Sequence, residues 1–128
     1  MSGQSLLLVF LGGGLGATAR HLVNLGAGRL LGLGFPFGTL VVNVLGSALM
    51  GVIVAGAALR WQLPQEARLF LTTGVLGGFT TFSAFSLDVL TLWERGRHEL
   101  AILYVAASLL LSLAAIALAM YGMRRALA

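Results

Sequence analysis

The sequence predicts an all-α membrane protein with four transmembrane helices, the third of them broken at the bilayer midplane. Hydrophobic residues make up 59% of the 128 residues and charged residues only 9%, which is too little polar surface for a soluble domain of this size. The apolar residues also form four long runs. Each run is close to the ~20 residues that a helix needs to cross the ~30 Å hydrocarbon core.

The four runs occupy most of the chain, so residues 1–128 are predicted to form a single four-helix transmembrane domain. They extend roughly over Leu6–Asn24, Phe37–Leu59, Arg68–Trp93 and Ala101–Tyr121. The first run is not expected to be a cleaved signal peptide, because MSGQS places no positive charge before it. The absence of cysteine excludes disulfides and thiolate metal sites.

Glycines in the first span indicate close helix packing. Gly12, Gly14 and Ala17 have the spacing of a dinucleotide-binding motif, but that motif needs a βαβ unit and an acid ~20 residues later. The first acid in this chain is Glu66. Gly12 and Gly16 instead form a GxxxG pair, which allows two helix backbones to approach closely. The same use is expected of the other span glycines, which are Gly46, Gly51, Gly74, Gly77 and Gly78.

The arginines predict how the chain inserts. Standing singly or in pairs at span ends, they indicate anchoring at lipid headgroups rather than nucleic-acid binding. One membrane face would carry Arg60, Arg68, Arg124 and Arg125, and the other Arg20, Arg29, Arg95 and Arg97. Because arginine and lysine in short loops set orientation, this equal count predicts insertion both ways up, and two opposite copies could pair about a twofold axis. Balance by chance is the alternative.

The segment GGFTTFSAFS, residues 77–86, falls at the middle of the third run. Two glycines followed by the β-branched Thr80 and Thr81 disfavour a continuous helix there. Carbonyls released at the midplane must be satisfied by protein, water or an ion, and many transporters place ion sites at such breaks. The alternative is a kinked packing helix whose hydroxyls bond back to its own carbonyls.

Uncharged groups suited to an anion recur around this break. Asn43 places an amide inside the second span, and Phe82 and Phe85 carry ring edges that are positively polarised. The fourth span carries a stripe of hydroxyls at i, i+4 and i+8, formed by Tyr104, Ser108 and Ser112.

Fixed charges are predicted to be absent from the middle of the spans. Asp88 lies toward the end of the third span, where pairing with an arginine near the interface is expected. A cation path would be lined by carboxylates or carbonyls along its length. The pattern therefore favours a path for a small, strongly hydrogen-bonding anion, and neutral donors alone would suit chloride or nitrate.

Together these motifs resemble the Fluc (CrcB) family of fluoride channels over essentially the whole chain. GGGLGATARHL is similar to the family's first-span motif, PFGTLVVNVLGSALMG to its second and GVLGGFTTFSAFS to its third. The chain departs from the family pattern at His21, where an aromatic such as tyrosine is common, and at Ala84, where threonine is frequent.

The resemblance implies a passive, fluoride-selective channel, not an enzyme, in the cell inner (plasma) membrane. It implies an antiparallel, dual-topology homodimer with two fluoride pores at the subunit interface. The family pattern makes Asn43 the amide donor, Phe82 and Phe85 the ring-edge contacts, and Arg20 a residue near an aqueous vestibule. The polar track would be Tyr104, Ser108 and Ser112. The family also implies a central sodium ion held by the backbone carbonyls of Gly77 and Thr80.

Three other classes fit less well. A small multidrug-type exporter would need a carboxylate in the first span, which has none. A packing subunit of a larger complex would leave the aligned hydroxyls without a purpose. An enzyme is disfavoured because there is no Ser/His/Asp set and both histidines, His21 and His98, fall near span ends.

Overall fold

The computed structural model describes residues 2–128, and every regular element among them is helical. Helix α1 covers Gly3–Leu31 and begins at Ser2, whose hydroxyl accepts a hydrogen bond from the Ser5 amide at 3.1 Å. It ends at Gly32, which has a positive φ of 84° that favours glycine. Helix α2 covers Phe37–Leu59.

The third span is assembled from several helical pieces. It begins with α3, Gln65–Leu69, continues through a π-helical segment, Phe70–Leu76, and reaches the single turn α4, Gly77–Phe79. After a two-residue interruption, α5 covers Phe82–Glu94. Gly96, with a φ of 78°, turns the chain into α6, His98–Leu127.

The prediction of four spans is confirmed. Four helical segments are long and apolar enough to cross a membrane: Gly3–Leu31, Phe37–Leu59, Gln65–Glu94 and His98–Leu127. Large apolar side chains point outward from them, for example Phe10 at 75% exposure and Leu110 at 68%. Such outward-facing surface is compatible with lipid, since lipid tails are as apolar as leucine.

Helix α1 and the third span touch through their backbones, so the close helix packing predicted from the GxxxG pair is confirmed, with the third span as the partner. A Cβ added at Gly12 would lie 2.7 Å from the Phe70 carbonyl oxygen and 3.0 Å from Cα of Gly74. A Cβ at Gly78 would overlap the backbone of Gly13. Gly77 is different: a Cβ there would meet only the Thr72 carbonyl, at 3.6 Å. Gly77 lies on the chain's outer surface, so its predicted use in close helix packing finds no partner helix within the described residues.

Gly16 is expected to be the least tolerant of these positions. A Cβ there would overlap the Val75 carbonyl and lie 2.8 Å from the Phe79 amide nitrogen. Gly16→Ala should therefore destabilise the folded chain by about 1–3 kcal/mol, the usual range for overpacking. Thermal unfolding in detergent measures this effect. Gly14→Ala is the matched control, since nothing lies within 4 Å of a Cβ at Gly14. Equal melting temperatures for the two variants would contradict the prediction.

Helices α2 and α6 also approach closely, since a Cβ at Gly51 would lie 2.8 Å from the Ile116 carbonyl oxygen. A buried cluster joins α5 to α6 and consists of Phe85, Leu92, Ala101 and Tyr104. In the resulting bundle the first half of the third span packs mainly against α1 and its second half against α6, while α2 packs mainly against α6.

Candidate functional site

The third span is interrupted at Thr80 and Thr81, where the predicted break falls. Both residues are extended, with φ and ψ of −88° and 157° at Thr80 and −153° and 123° at Thr81. Thr80 closes the first half of the span, because its amide and its hydroxyl both donate to the Leu76 carbonyl, at 3.0 and 2.9 Å. Thr81 caps the second half, where its hydroxyl accepts from the Ala84 amide at 3.2 Å.

Asn43 holds the break from the second span. Its Oδ1 accepts from the Thr81 amide at 2.8 Å, and its Nδ2 donates to the Thr81 carbonyl at 3.0 Å. An amide carries two N–H donors, so one remains after this pair is made. Asn43 therefore acts as glue between two spans and still has a donor available.

The same bonds release two carbonyls. In an uninterrupted helix the Thr81 amide would donate to Gly77 and the Ala84 amide to Thr80. These amides donate instead to Asn43 Oδ1 and to the Thr81 hydroxyl. The carbonyls of Gly77 and Thr80 lose their regular helical partners in this way.

A cavity of about 370 Å³ lies beside the break, between α2, α5 and α6. Five of the seven predicted pathway residues line it: Asn43, Phe82, Phe85, Ser108 and Ser112. Apolar side chains, including Met50 and Leu113, form much of the remaining wall. The structure thus brings together polar side chains that lie far apart in the sequence.

The two phenylalanines differ in their surroundings. Their ring centroids are 5.4 Å apart and their planes are inclined by 48°. Phe85 is 8% exposed and belongs to the core, whereas Phe82 is 73% exposed and faces out of the chain. A single chain therefore leaves the Phe82 side of the cavity open.

The hydroxyl stripe of α6 is divided between two environments. Ser108 is buried, and its Oγ has no hydrogen-bond partner within residues 2–128. Tyr104 is also buried, but it does not line the cavity; its hydroxyl donates to Oδ2 of Asp88 at 3.0 Å. The expected pairing of Asp88 with an arginine is wrong, because Asp88 faces Tyr104 across the contact between α5 and α6.

Arg20, which was counted with the arginines at a membrane face, is directed toward the third span. It is half-buried near the middle of α1, and its Nε donates to the Gly78 carbonyl at 3.1 Å. Without Arg20, the arginines that flank the spans number four on one face and three on the other. The two membrane faces therefore differ by one arginine rather than by none.

A second cavity, which the sequence analysis missed, has a volume of about 330 Å³. It lies between the loop after α1 and helix α5, and its polar lining includes Asn24, Thr39, Asp88, Thr91 and Arg95. A helical spacing pointed to part of it, since Ala84, Asp88, Thr91 and Arg95 fall on one face of the third span. Thr39 likewise stands one turn before Asn43 on α2.

No cluster of three or more His, Cys, Asp or Glu side chains that could hold a metal occurs within residues 2–128. The oxygens near the break are backbone carbonyls and hydroxyls, which are hard ligands. Four apolar spans, one of them interrupted beside a cavity that uncharged polar groups help to line, are typical of membrane transport proteins.

Comparison with known proteins gives the family. A family model described as "CrcB-like protein, Camphor Resistance (CrcB)" matches residues 7–120. The chain therefore belongs to the CrcB family, and the resemblance drawn from its motifs is confirmed.

Relatives in this family are similar over nearly their whole length. The Fluoride-specific ion channel FluC of Granulibacter bethesdensis is 56% identical over 121 residues, covering 94% of this chain and 95% of the relative. The protein of the same name from Chelativorans sp. is 57% identical over 103 residues, covering 80% and 82%. That from Cereibacter sphaeroides is 54% identical over 121 residues, covering 94% and 95%.

Family membership settles two further predictions. The family is one of ion channels, which confirms that the chain is not an enzyme. Together with the four apolar helices, it makes the chain a multi-pass membrane protein.

Proposed function

We propose that the chain is a fluoride-selective channel that exports fluoride passively across the cell inner membrane. One observation carries the proposal: the cavity at the break gathers neutral donors, among them the buried and unpartnered hydroxyl of Ser108. A buried polar group without a partner costs free energy, which an anion accepting its hydrogen bond would recover. The names of the relatives supply the ion.

The lining explains how such an anion would move. Asn43, Ser108 and Ser112 offer N–H or O–H donors without a positive charge, so they replace water around the ion without trapping it. The ring edges of Phe82 and Phe85 add weak positive potential. Tyr104 would belong to the same track, and its hydroxyl would have to leave Asp88 in order to donate to fluoride. Arg20, which bonds the Gly78 carbonyl beside the break, would lie where an aqueous vestibule meets the path.

The exposed side of the cavity supports an antiparallel homodimer. Phe82 is part of the proposed path and is 73% exposed in one chain, so a second copy is needed to close the wall around it. Flanking arginines in a ratio of four to three give weak orientation preference. Copies inserted both ways up would then meet about a twofold axis in the membrane, with one pore on each side of the interface.

A sodium ion on this axis fits the released carbonyls. Gly77 and Thr80 lose their helical partners, and Gly77 lies on the outer surface with open space beside it. Two chains would contribute four carbonyl oxygens of the kind that a hard cation prefers. The positive charge of the ion would offset part of the dehydration cost of nearby fluoride.

Efflux from liposomes tests the function directly. Vesicles loaded with fluoride and carrying the purified protein should lose fluoride rapidly, whereas vesicles loaded with chloride should retain it. Absence of fluoride loss from protein shown to be folded and dimeric would overturn the proposal. Equal loss of both ions would mean that the protein is a channel without selectivity for fluoride over chloride.

The Ser108→Ala variant tests whether the Ser108 hydroxyl serves fluoride passage or the stability of the fold. The buried hydroxyl has no protein partner, so its removal should leave the melting temperature unchanged or slightly higher. Fluoride efflux should fall about tenfold, since one hydrogen bond to a charged ion is worth about 1.5–3 kcal/mol. Ser86→Ala is the control, because Ser86 is exposed and its hydroxyl donates to the Phe82 carbonyl on its own helix. A lower melting temperature with normal efflux would assign Ser108 to the fold instead.

A further inference from the structure

Arg20 is the one cationic side chain that donates to the helix break within the described residues. Its Nε–H reaches the Gly78 carbonyl at 3.1 Å, and the side chain is half-buried near the middle of α1. A charged residue inside a span is costly, so its position there calls for a specific partner. The Gly78 carbonyl is that partner.

The Gly78 carbonyl accepts no hydrogen bond from a backbone amide of the following helix. It belongs to the last turn before the break, where carbonyls have no following amides to bind and carry the negative end of the helix dipole. The Leu76 carbonyl is bound by the amide and hydroxyl of Thr80. Lipid offers no donor, so Gly78 depends on a side chain from another span.

Backbone contact between α1 and α4 makes this bond possible. Gly13 lies against Gly78, and Gly16 lies against Phe79, with no side chain between them. The two helices are therefore close enough for Nε of Arg20, the atom bonded directly to Cδ, to reach the Gly78 carbonyl oxygen. Arg20 from the first span and Asn43 from the second therefore hold the two sides of the break.

We propose that Arg20 is a positioning residue that fixes the geometry of the break through its Nε–H bond to Gly78. This bond fixes the positions of the neighbouring backbone groups, which are the Gly77 and Thr80 carbonyls and the Thr81 amide. The role requires an N–H donor directly after Cδ and does not require the positive charge. The carbonyl geometry can be tested whatever ion the protein carries, whereas the effect on flux rests on the proposed function.

Three substitutions separate the donor from the charge. Arg20→Gln keeps an N–H donor, Nε2, directly after Cδ and removes the charge. Arg20→Lys keeps the charge but places a methylene where Nε stood. Arg20→Met removes both in a side chain of similar length. A positioning role predicts that Gln functions and that Lys and Met do not; a purely electrostatic role predicts that Lys functions and that Gln and Met do not.

The Gly78 carbonyl can be observed directly. Glycine precedes phenylalanine at only two places, Gly34–Phe35 and Gly78–Phe79. Protein labelled with carbonyl-¹³C glycine and ¹⁵N phenylalanine, reconstituted in lipid, therefore yields two correlated signals in solid-state NMR, and Gly34 serves as the internal reference. The Gly78 signal should keep its wild-type hydrogen-bonded shift in Arg20→Gln and lose it in Arg20→Lys. The Gly34 signal should stay in place in both.

Fluoride efflux from liposomes gives the second readout. Arg20→Gln should retain efflux within about fivefold of the wild type, since a neutral donor makes a bond roughly half as strong as a charged one. Arg20→Lys and Arg20→Met should lose about tenfold or more. If the Arg20→Met variant does not assemble, the comparison of efflux through Arg20→Gln and Arg20→Lys still distinguishes the two roles. Efflux that follows the charge, with an unchanged Gly78 signal in Arg20→Lys, would overturn the proposal.

Discussion

Replacing Phe82 with isoleucine is expected to abolish or strongly reduce fluoride efflux while leaving the chain folded. Phe82 lines the cavity at the break and is 73% exposed in one chain, so a smaller apolar side chain removes little buried surface. What is lost is the positively polarised ring edge offered to a dehydrated anion. If that contact matches a hydrogen bond to a charged group, about 1.5–3 kcal/mol, efflux falls roughly 10- to 100-fold.

Phe10→Ile provides the matched control for this substitution. Phe10 is 75% exposed on α1 and lines none of the cavities described above, so its loss should change neither the melting temperature nor the efflux. Initial rates from liposomes containing equal amounts of dimer give the comparison. Normal efflux through Phe82→Ile would remove the ring edges from the mechanism and leave the amide and hydroxyl donors as the whole path.

Replacing Gly77 with valine is expected to prevent dimer formation without unfolding the single chain. A Cβ at Gly77 meets only the Thr72 carbonyl, at an ordinary 3.6 Å, so the chain itself has room for a side chain. The proposed sodium site and twofold interface would have no such room, because two valines would stand beside the axis on which the Gly77 carbonyls would converge. Size-exclusion chromatography in detergent should give monomer, and efflux should be lost.

Sodium dependence strengthens this test. An ion bound only by the dimer stabilises it by mass action, so replacing sodium with a large organic cation should weaken the wild-type dimer. Gly122→Val is the control, since Gly122 also has open space around it but lies near the end of α6. A Gly77→Val dimer with normal efflux, or a wild-type dimer indifferent to sodium, would contradict the central ion.

Much of the architecture could be predicted from sequence because it depends on local chemistry. Lipid cannot satisfy backbone groups, so a run of about 20 apolar residues has to be a helix, and the second run was predicted with the bounds that the structure gives it, Phe37–Leu59. The break at Thr80 and Thr81 follows from glycine and β-branched residues adjacent in the chain. Small residues at helical spacing likewise predicted that Gly12 and Gly16 pack closely against another helix, and the structure shows that this helix is the third span.

Tertiary structure alone decided which groups meet across spans. Arg20 was counted at a membrane face, yet it bonds Gly78, 58 residues away, inside the bundle. Asp88 was expected beside an arginine and instead accepts from Tyr104. Asn43 was recognised as a donor, but its reciprocal pair with Thr81 could not be foreseen. The pattern within one span sets its length and its apolar faces, whereas its depth and rotation relative to the other spans arise from the backbone contacts between helices, and those determine every polar partner at the break.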